Sequence, residues 1–102
     1  MRFGIRVRII GRKGIEKFKR NRADARSSLD NWYRVVSSRD WNNFVGLRQV
    51  FPSADQVGPY IVFNVGGNKY RLIAGVNFDA KTLLVRDVLT HQEYDRGGWK
   101  KL

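Results

Sequence analysis

The chain of 102 residues contains no cysteine, so disulfide bonds and thiolate chemistry are excluded. A long apolar run is missing too: no segment approaches the ~20 apolar residues that a membrane-spanning helix needs. The start, MRFGIRVRIIGRKG, has arginines within its apolar run, which argues against a signal peptide. We therefore predict a cytoplasmic protein that has no membrane partner.

Metal ligands and nucleotide-binding motifs are scarce as well. The single histidine, His91, starts a His-x-Glu-x-Asp spacing, but there is no second His or Cys to complete a zinc shell. Gly66 and Gly67 form no phosphate loop, because no Lys-Ser/Thr follows and a strand is predicted next. The sequence predicts neither a metal nor a cofactor, and no Ser-His-Asp or Cys-His arrangement can be found.

Acidic residues are few, and the formal net charge is +11. Residues 1–51 carry 13 Lys/Arg against 4 Asp/Glu, a net of +9, whereas residues 52–102 carry 7 against 5, a net of +2. Such a basic half favours a nucleic acid as partner, and a solvated basic surface is the plainer alternative. The candidate RNA-binding residues of this half lie close together in the sequence, in a predicted turn between Gly11 and Gly14 and in the short helix predicted after it: Arg12, Lys13, Lys17, Lys19 and Arg20.

The first half predicts a strand followed by helices. Residues 3–10 alternate between apolar and basic side chains, as in a half-buried strand. A short helix with a basic outer side follows in IEKFKR. ADARSSLDNWYRVV is amphipathic at helical spacing. SSRDWNNFVGLRQVF predicts a further helix, with Asp40 as its N-cap and a side lined by Trp41, Phe44, Val45 and Arg48.

After Pro52 the apolar period changes to two, which is typical of strands. YIVFN, NKYRLIAGV and TLLVRDVL predict a three-stranded antiparallel meander, followed by a short polar tail. The whole pattern predicts one α+β domain over residues 1–102: an N-terminal strand, two to three helices on one face of the sheet, then the meander.

Within the meander, the pleat predicts a cationic site. On the second strand Leu72 and its alternating neighbours are apolar and should meet the helices, so Lys69 and Arg71 should face outward. On the third strand Leu83, Val85, Asp87 and Leu89 alternate with Leu84, Arg86 and Val88. We expect Arg86 to join Arg71 on the open face, with His91 just beyond.

These residue types suit the cleavage of RNA by its own 2′-hydroxyl. Histidine can take or give a proton near neutral pH. Arginine can hold two phosphate oxygens with its planar fork. A second proton-transfer group would be Tyr94, Glu93 or Lys69, and the sequence does not choose among them. Each of these residues could equally be ordinary surface.

Two motifs, VFNVGGNKYRLIAGV and LLVRDVLTHQEYD, resemble the HigB-type toxins, a branch of the RelE superfamily of messenger-RNA interferases. ADARSSLDNWYRVV and WNNFVGLRQVFPSAD are also similar to that family, so the resemblance covers nearly the whole chain. It implies a RelE-like toxin of a type II toxin–antitoxin pair that cuts messenger RNA on the ribosome without metal. A HigA-like helix-turn-helix antitoxin would neutralise it.

The resemblance also implies roles for single residues. Arg71 would bind the phosphate and His91 would act in proton transfer. Around them would lie Arg86 and Tyr94, with Asn68 and Lys69 on the substrate. The alternative is an RNA-binding module of the same fold that does not cleave.

Overall fold

The computed structural model describes residues 7–101, apart from the side chain of Lys101, so residues 3–6 of the predicted first strand lie outside the described part. The strands are β1 (Arg8–Ile10), β2 (Asp55–Val57), β3 (Tyr60–Val65), β4 (Tyr70–Asn77) and β5 (Thr82–Thr90). The helices are α1 (Arg12–Arg20), α2 (Ala23–Ser37), α3 (Phe44–Val50) and α4 (His91–Arg96), followed by a 3-10 turn, Gly98–Lys101.

The five strands form one sheet in the order β1-β5-β4-β3-β2. β1 runs parallel to β5, and the other neighbours are antiparallel. The α+β class is confirmed, but the three-stranded meander was wrong in strand count and order. The missed strand, β2, pairs with β3 across the turn at Gly58, whose φ is 58°. Its three residues are too few for an alternating pattern to be visible in the sequence.

The helices α1 to α3 cover one face of the sheet and bury the side chains that helical spacing predicted. Ile15 and Phe18 of α1 are buried, and so is Leu47 of α3. The predicted apolar stripe of α2 is confirmed as well, since it is buried at each position: Ala25, Leu29, Trp32 and Val36. They meet Phe63, Leu72, Ala74, Leu83 and Val85 of the sheet in the main core.

Helix α3 begins later than predicted. Its N-cap is Asn43, whose side chain accepts a hydrogen bond from Gly46 N at 2.8 Å, and not Asp40. Asp40 instead pairs with Lys81 Nζ at 2.6 Å, and Trp41 is buried ahead of the helix. The helix buries Leu47 and leaves Val45 70% exposed, while Phe44 packs partly against the core and lies on one side with Arg48.

The opposite face of the sheet is covered in part by the end of the chain. Trp99 packs against Val62 and Ile73, with Leu89 and Tyr94 beside them, in a second small core. The segment predicted as a polar tail is the helix α4. The prediction that helices cover one face of the sheet was therefore incomplete, because α4 and the residues after it cover part of the other face.

A β-bulge interrupts the pairing of β4 with β5. Ile73 pairs with Asp87 and Ala74 pairs with Val85, which leaves Arg86 without a partner in the ladder. The extra residue reverses the alternation of β5, so Val88 lies in the main core with Val85. The predicted faces of β5 were right up to Val85 and wrong beyond Arg86, because a bulge leaves no mark in the hydrophobic pattern.

Candidate active site

Arg71 lies near the start of the central strand β4 and is only 7% exposed. The prediction that Arg71 faces outward was right, but the prediction that it faces an open surface was wrong. It does lie on the side of the sheet opposite α1 to α3, but Tyr94 covers it there, with the Arg71 Cζ 5.6 Å from the centre of the Tyr94 ring. This geometry brings the strand arginine and α4 into one site.

The guanidinium of Arg71 is held by acceptors of the chain itself. Its Nη1 donates to the carbonyl oxygens of Asn68, at 3.3 Å, and Tyr70, at 3.1 Å. Its Nη2 donates to Asn68 Oδ1 at 2.6 Å and contacts His91 Nδ1 at 2.9 Å. Each Nη carries two hydrogens, so these contacts use all four of the terminal N–H groups.

His91 is the first residue of α4, and both of its ring nitrogens have partners. Nδ1 lies 2.9 Å from Arg71 Nη2, which can only donate, so Nδ1 accepts in this arrangement. Nε2 lies 3.0 Å from Asp95 Oδ2, one helical turn further on. The geometry therefore fits a neutral imidazole that carries its proton on Nε2. The carbonyl oxygen of Asn68, 3.2 Å from Nδ1, is a second acceptor placed for the protonated ring.

The position of His91 depends on how α4 begins. Thr90 accepts from the backbone N–H of Glu93, and the Glu93 carboxylate accepts from the N–H of Thr90 at 2.9 Å, which is a complete capping box. The backbone N–H of His91 donates to the carbonyl of Lys69 at 2.9 Å, which ties the helix to the turn before β4. These bonds explain why the His91 side chain contacts Arg71 instead of extending into solvent.

Tyr94 is the aromatic residue that packs against Arg71 in the site. Its ring stacks on Trp99 with centroids 5.0 Å apart and an interplanar angle of 16°. Burial raises the pKa of the Tyr94 phenol, and the carboxylate of Asp55 acts in the same direction. Its hydroxyl is protonated at neutral pH, so Tyr94 can act as a proton donor and not as a base, and the raised pKa makes it a weaker donor than a free phenol.

The structure separates the other candidates from this site. The Glu93 carboxylate is used in the capping box. The Nζ of Lys69 reaches Asp24, at 3.4 Å, and this lysine side chain is 68% exposed. Arg86 is exposed at the bulge, whereas the residue that pairs with Arg71 on β5 is Leu89. Contacts thus join Arg71 to His91, Asn68 and Tyr94. Arg86 lies exposed at the bulge, and its part in the site stays a prediction.

The basic residues near the first helix all lie on α1, which begins at Arg12, so the predicted turn at Arg12 and Lys13 was wrong. Their side chains are not equally free. Lys13, Lys17 and Arg20 are exposed, while the Arg12 guanidinium lies 4.6 Å above the ring of Tyr33. Lys19 forms ion pairs with Asp30 and Glu16, and the hydrogen bond to Asp30 is the main cause that raises the pKa of Lys19. Most of its charge is therefore already balanced within the chain.

Sequence reasoning missed two members of the site. It considered Asp95 only as a metal ligand, although its spacing of four from His91 indicates contact wherever the segment is helical. It gave Trp99 no place in the site, whereas the side chain is 5% exposed and stacks on Tyr94. Both contacts depend on α4, a helix that the sequence pattern did not predict.

Within residues 7–101, no three His, Asp or Glu side chains group closely enough to hold a metal ion. The helices in the same range are all too short and too polar to cross a bilayer.

The fold and the site together define a small, basic α+β protein with an arginine–histidine–carboxylate cluster suited to phosphate chemistry. Residues 25–97 match the model of the HigB toxin family, described as the RelE-like toxic component of a toxin-antitoxin system. Because that match covers most of the chain, the protein belongs to the HigB toxin family. The resemblance seen in the sequence motifs is confirmed, and membership implies an antitoxin as partner.

Two curated relatives support the assignment. The chain is 31% identical over 93 residues to the mRNA interferase HigB of Escherichia coli O6:H1, a match that covers 88% of this chain and 90% of the relative. It is 46% identical over 52 residues to the mRNA interferase toxin HigB of Escherichia coli K12, which covers 48% of this chain and 50% of that relative.

Proposed function

We propose that this toxin is an endoribonuclease that cuts messenger RNA on the translating ribosome and so blocks translation. The names of its relatives as mRNA interferases support the substrate. The observation that carries the chemistry is the contact of Arg71 Nη2 with His91 Nδ1 at 2.9 Å, with Asp95 on the other ring nitrogen. A fixed cation and an oriented imidazole are the two groups that RNA transesterification needs most.

The proposed reaction needs no metal. A base removes the proton of a 2′-hydroxyl, the bond from O2′ to phosphorus forms, and the bond from phosphorus to O5′ breaks. An acid returns a proton to O5′, which leaves a 2′,3′-cyclic phosphate and a 5′-hydroxyl. Positively charged groups stabilise the extra charge on the phosphorane between these steps.

We assign the acceptance of the first proton to His91. For His91 to take the proton on Nδ1, Arg71 Nη2 has to stop donating to that nitrogen; the protonated ring can then donate from Nδ1 to the Asn68 carbonyl and from Nε2 to the Asp95 carboxylate. Tyr94, whose phenol pKa is raised by burial, gives the second proton. Arg71 provides the positive charge next to both.

The rest of the surface serves binding in this proposal. With +9 of the net charge in residues 1–51, the exposed cations of α1 contact RNA of the message or the ribosome. Lys69 contacts the substrate beside the cut, and Asn68 lies at the place where the phosphate binds Arg71. The whole chain acts as one cytoplasmic toxin domain, and a HigA-like helix-turn-helix antitoxin neutralises it.

The test is single-turnover cleavage of a messenger on programmed ribosomes, with the cut ends analysed chemically. We expect a 2′,3′-cyclic phosphate and a 5′-hydroxyl, and no stoichiometric transition metal in the purified protein. Intact messenger in the presence of folded, ribosome-bound toxin would contradict the proposal and favour a module that binds RNA without cleaving it. A 5′-phosphate at the cut would contradict the mechanism alone.

A further inference from the structure

Arg71 cannot hold a phosphate by two N–H groups in the arrangement that the structure shows. Its four terminal N–H groups already donate to Asn68, Tyr70 and His91. A bidentate contact with a phosphate needs two free N–H groups on one side of the fork, and Nε supplies only one. If Arg71 binds the scissile phosphate in this way, as the proposed function requires, at least one internal partner has to leave first.

Asn68 is the partner best placed to leave. Backbone carbonyls of Asn68 and Tyr70 hold Nη1, and they cannot withdraw without moving the strand. The Asn68 carboxamide holds Nη2 through a side chain on an exposed turn, directly after Gly66 and Gly67 with φ of 66° and 68°. A rotation of this one side chain uncovers Nη2 while the strand and α4 stay in place.

The carboxamide oxygen also resembles the group that would replace it. Asn68 Oδ1 lies 2.6 Å from Arg71 Nη2, slightly closer than the ~2.7–2.9 Å usual for an oxygen that accepts from a charged donor. A buried guanidinium left without acceptors is costly, so the free protein needs an oxygen at this point.

We propose that the Asn68 carboxamide occupies the phosphate subsite of Arg71 in the free protein, and that a phosphate oxygen of the RNA displaces it. The exchange leaves the other N–H of Nη2 on His91 Nδ1. That contact breaks only in the later step in which His91 takes the 2′-hydroxyl proton.

The consequence for affinity comes from competition. RNA binds only those molecules in which Asn68 has left, so the apparent dissociation constant is raised by the inverse of that open fraction. If about one molecule in ten is open, removal of the side chain tightens binding by up to about tenfold. An aspartate at the same position adds a charge that holds Arg71 more strongly, and it weakens binding.

The test uses an RNA oligonucleotide with 2′-O-methyl groups throughout, which cannot be cut, and measures its dissociation constant by calorimetry. We expect Asn68→Ala and Asn68→Ser to bind about three- to tenfold tighter than the unchanged protein, and Asn68→Asp to bind more weakly. Asn31→Ala is the matched control, because Asn31 Oδ1 also accepts from an arginine, Arg34 Nη2, at 2.6 Å, but on α2. Its affinity should not change.

Equal or weaker binding by both Asn68→Ala and Asn68→Ser, with melting temperatures near that of the unchanged protein, would overturn the inference. So would the absence of binding in all variants. Cleavage of an unmodified messenger is measured separately. Tighter binding without any cleavage would support the displaced carboxamide and refute the proposed endoribonuclease, so the two failures can be told apart.

Discussion

At the scale of single residues, Arg71 does two things at once. Its guanidinium ties the turn before β4 to α4, because it donates to Asn68 and contacts His91 across 20 positions of sequence. It is also the cation proposed for the phosphate. A residue with both functions cannot be altered without some loss of stability, which the outward-facing position predicted from the sequence did not imply. The effects of a substitution at Arg71 on stability and on cleavage therefore have to be measured separately.

We expect Arg71→Ala to lower the free energy of unfolding by about 1–3 kcal/mol, because buried acceptors lose their donor. Cleavage should fall by about 10²–10³, the usual effect of losing a preorganised charge. Arg71→Lys should not restore the rate, since a point charge cannot reproduce the fork. The measurements are chemical denaturation and single-turnover cleavage, and near-normal cleavage by both variants would exclude Arg71 from the chemistry.

For His91→Ala we expect a loss of about 10²–10⁴ in cleavage rate, the range for a proton-transfer group. The side chain is 41% exposed, so the melting temperature should change less than in Arg71→Ala. Ribosome binding, followed by co-sedimentation, should persist because most of the positive charge lies elsewhere. If cleavage stays near the unchanged rate, His91 is a structural partner of Arg71 and nothing more.

A different residue pair predicts how stability depends on pH. The Tyr70 hydroxyl donates to both carboxylate oxygens of Asp24 at 2.8 Å, and this bond is the main cause that lowers the pKa of Asp24 from 3.8. A lowered pKa in the folded state means that the stabilisation is complete above the unfolded value and is lost as the pH falls through the folded one.

Between about pH 6 and about pH 2, the melting temperature of Asp24→Asn should therefore fall less steeply than that of the unchanged protein. Tyr70→Phe removes the hydroxyl and should flatten the curve in the same direction. Parallel curves for all three proteins would show that this bond does not contribute to acid stability.

At the scale of elements, α4 is the part of the fold on which the site depends most. It has only six residues, none of them buried, yet it carries His91, Tyr94 and Asp95. A helix this short is not stable by itself, so its caps and its packing on Trp99 hold it in place. The sheet supplies the fixed half of the site and α4 the half that is easier to perturb.

Thr90→Ala removes the capping box of α4 and should cost about 1 kcal/mol. Cleavage should fall more than this loss of stability explains, because the histidine is displaced as the helix frays. Asn43→Ala is the matched control: it removes the N-cap of α3, which lies away from the site, at a similar cost. Equal effects of the two variants on cleavage would show that the cap of α4 contributes no more to cleavage than the cap of α3.

Helix α1 allows a second prediction at this scale. Neutralising Arg12, Lys13, Lys17 and Arg20 with glutamine should weaken ribosome binding and reduce the slope of log affinity against log salt by up to about 3. Lys19→Gln should have a smaller effect per charge, since Asp30 and Glu16 already balance this lysine. An unchanged slope in the quadruple variant would show that the RNA-binding surface does not lie on α1.

At the scale of the whole molecule, charge and fold together suit a toxin that acts on a polyanion. The net charge of +11 lies mainly in the first half, while the residues of the candidate site come from the second. Binding and chemistry are thereby distributed over different elements, which is why substitutions in one should leave the other largely intact.

Expression of the chain alone should arrest growth, because a toxin of this family acts when its antitoxin is absent. Coexpression of a neighbouring helix-turn-helix antitoxin should restore growth. His91→Ala, expressed to the same level, is the control for effects of basic charge alone. Normal growth while folded, unchanged protein accumulates would argue strongly against the toxin function in this chain.

Local patterns in the sequence determined much of this protein. Helical spacing placed the buried stripe of α2, and alternation placed β3, β4 and the first half of β5, since these periods depend only on nearby residues. The motifs around Arg71 and His91 led to the correct family. Charge distribution, a property of composition, pointed to a polyanionic partner.

Only the tertiary structure decided which of the candidate residues meet. The bulge at Arg86 shifts every later side chain of β5 by one place, and no hydrophobic pattern records such an insertion. The folding of the chain end into α4 buries Arg71 and brings Asp95 and Asn68 to His91. The contacts of Arg71 and Asn68 with His91 join residues that are distant in sequence, so they depend on packing across the sheet and not on local preference. The contact of Asp95 with His91 is local, but it exists only because α4 forms.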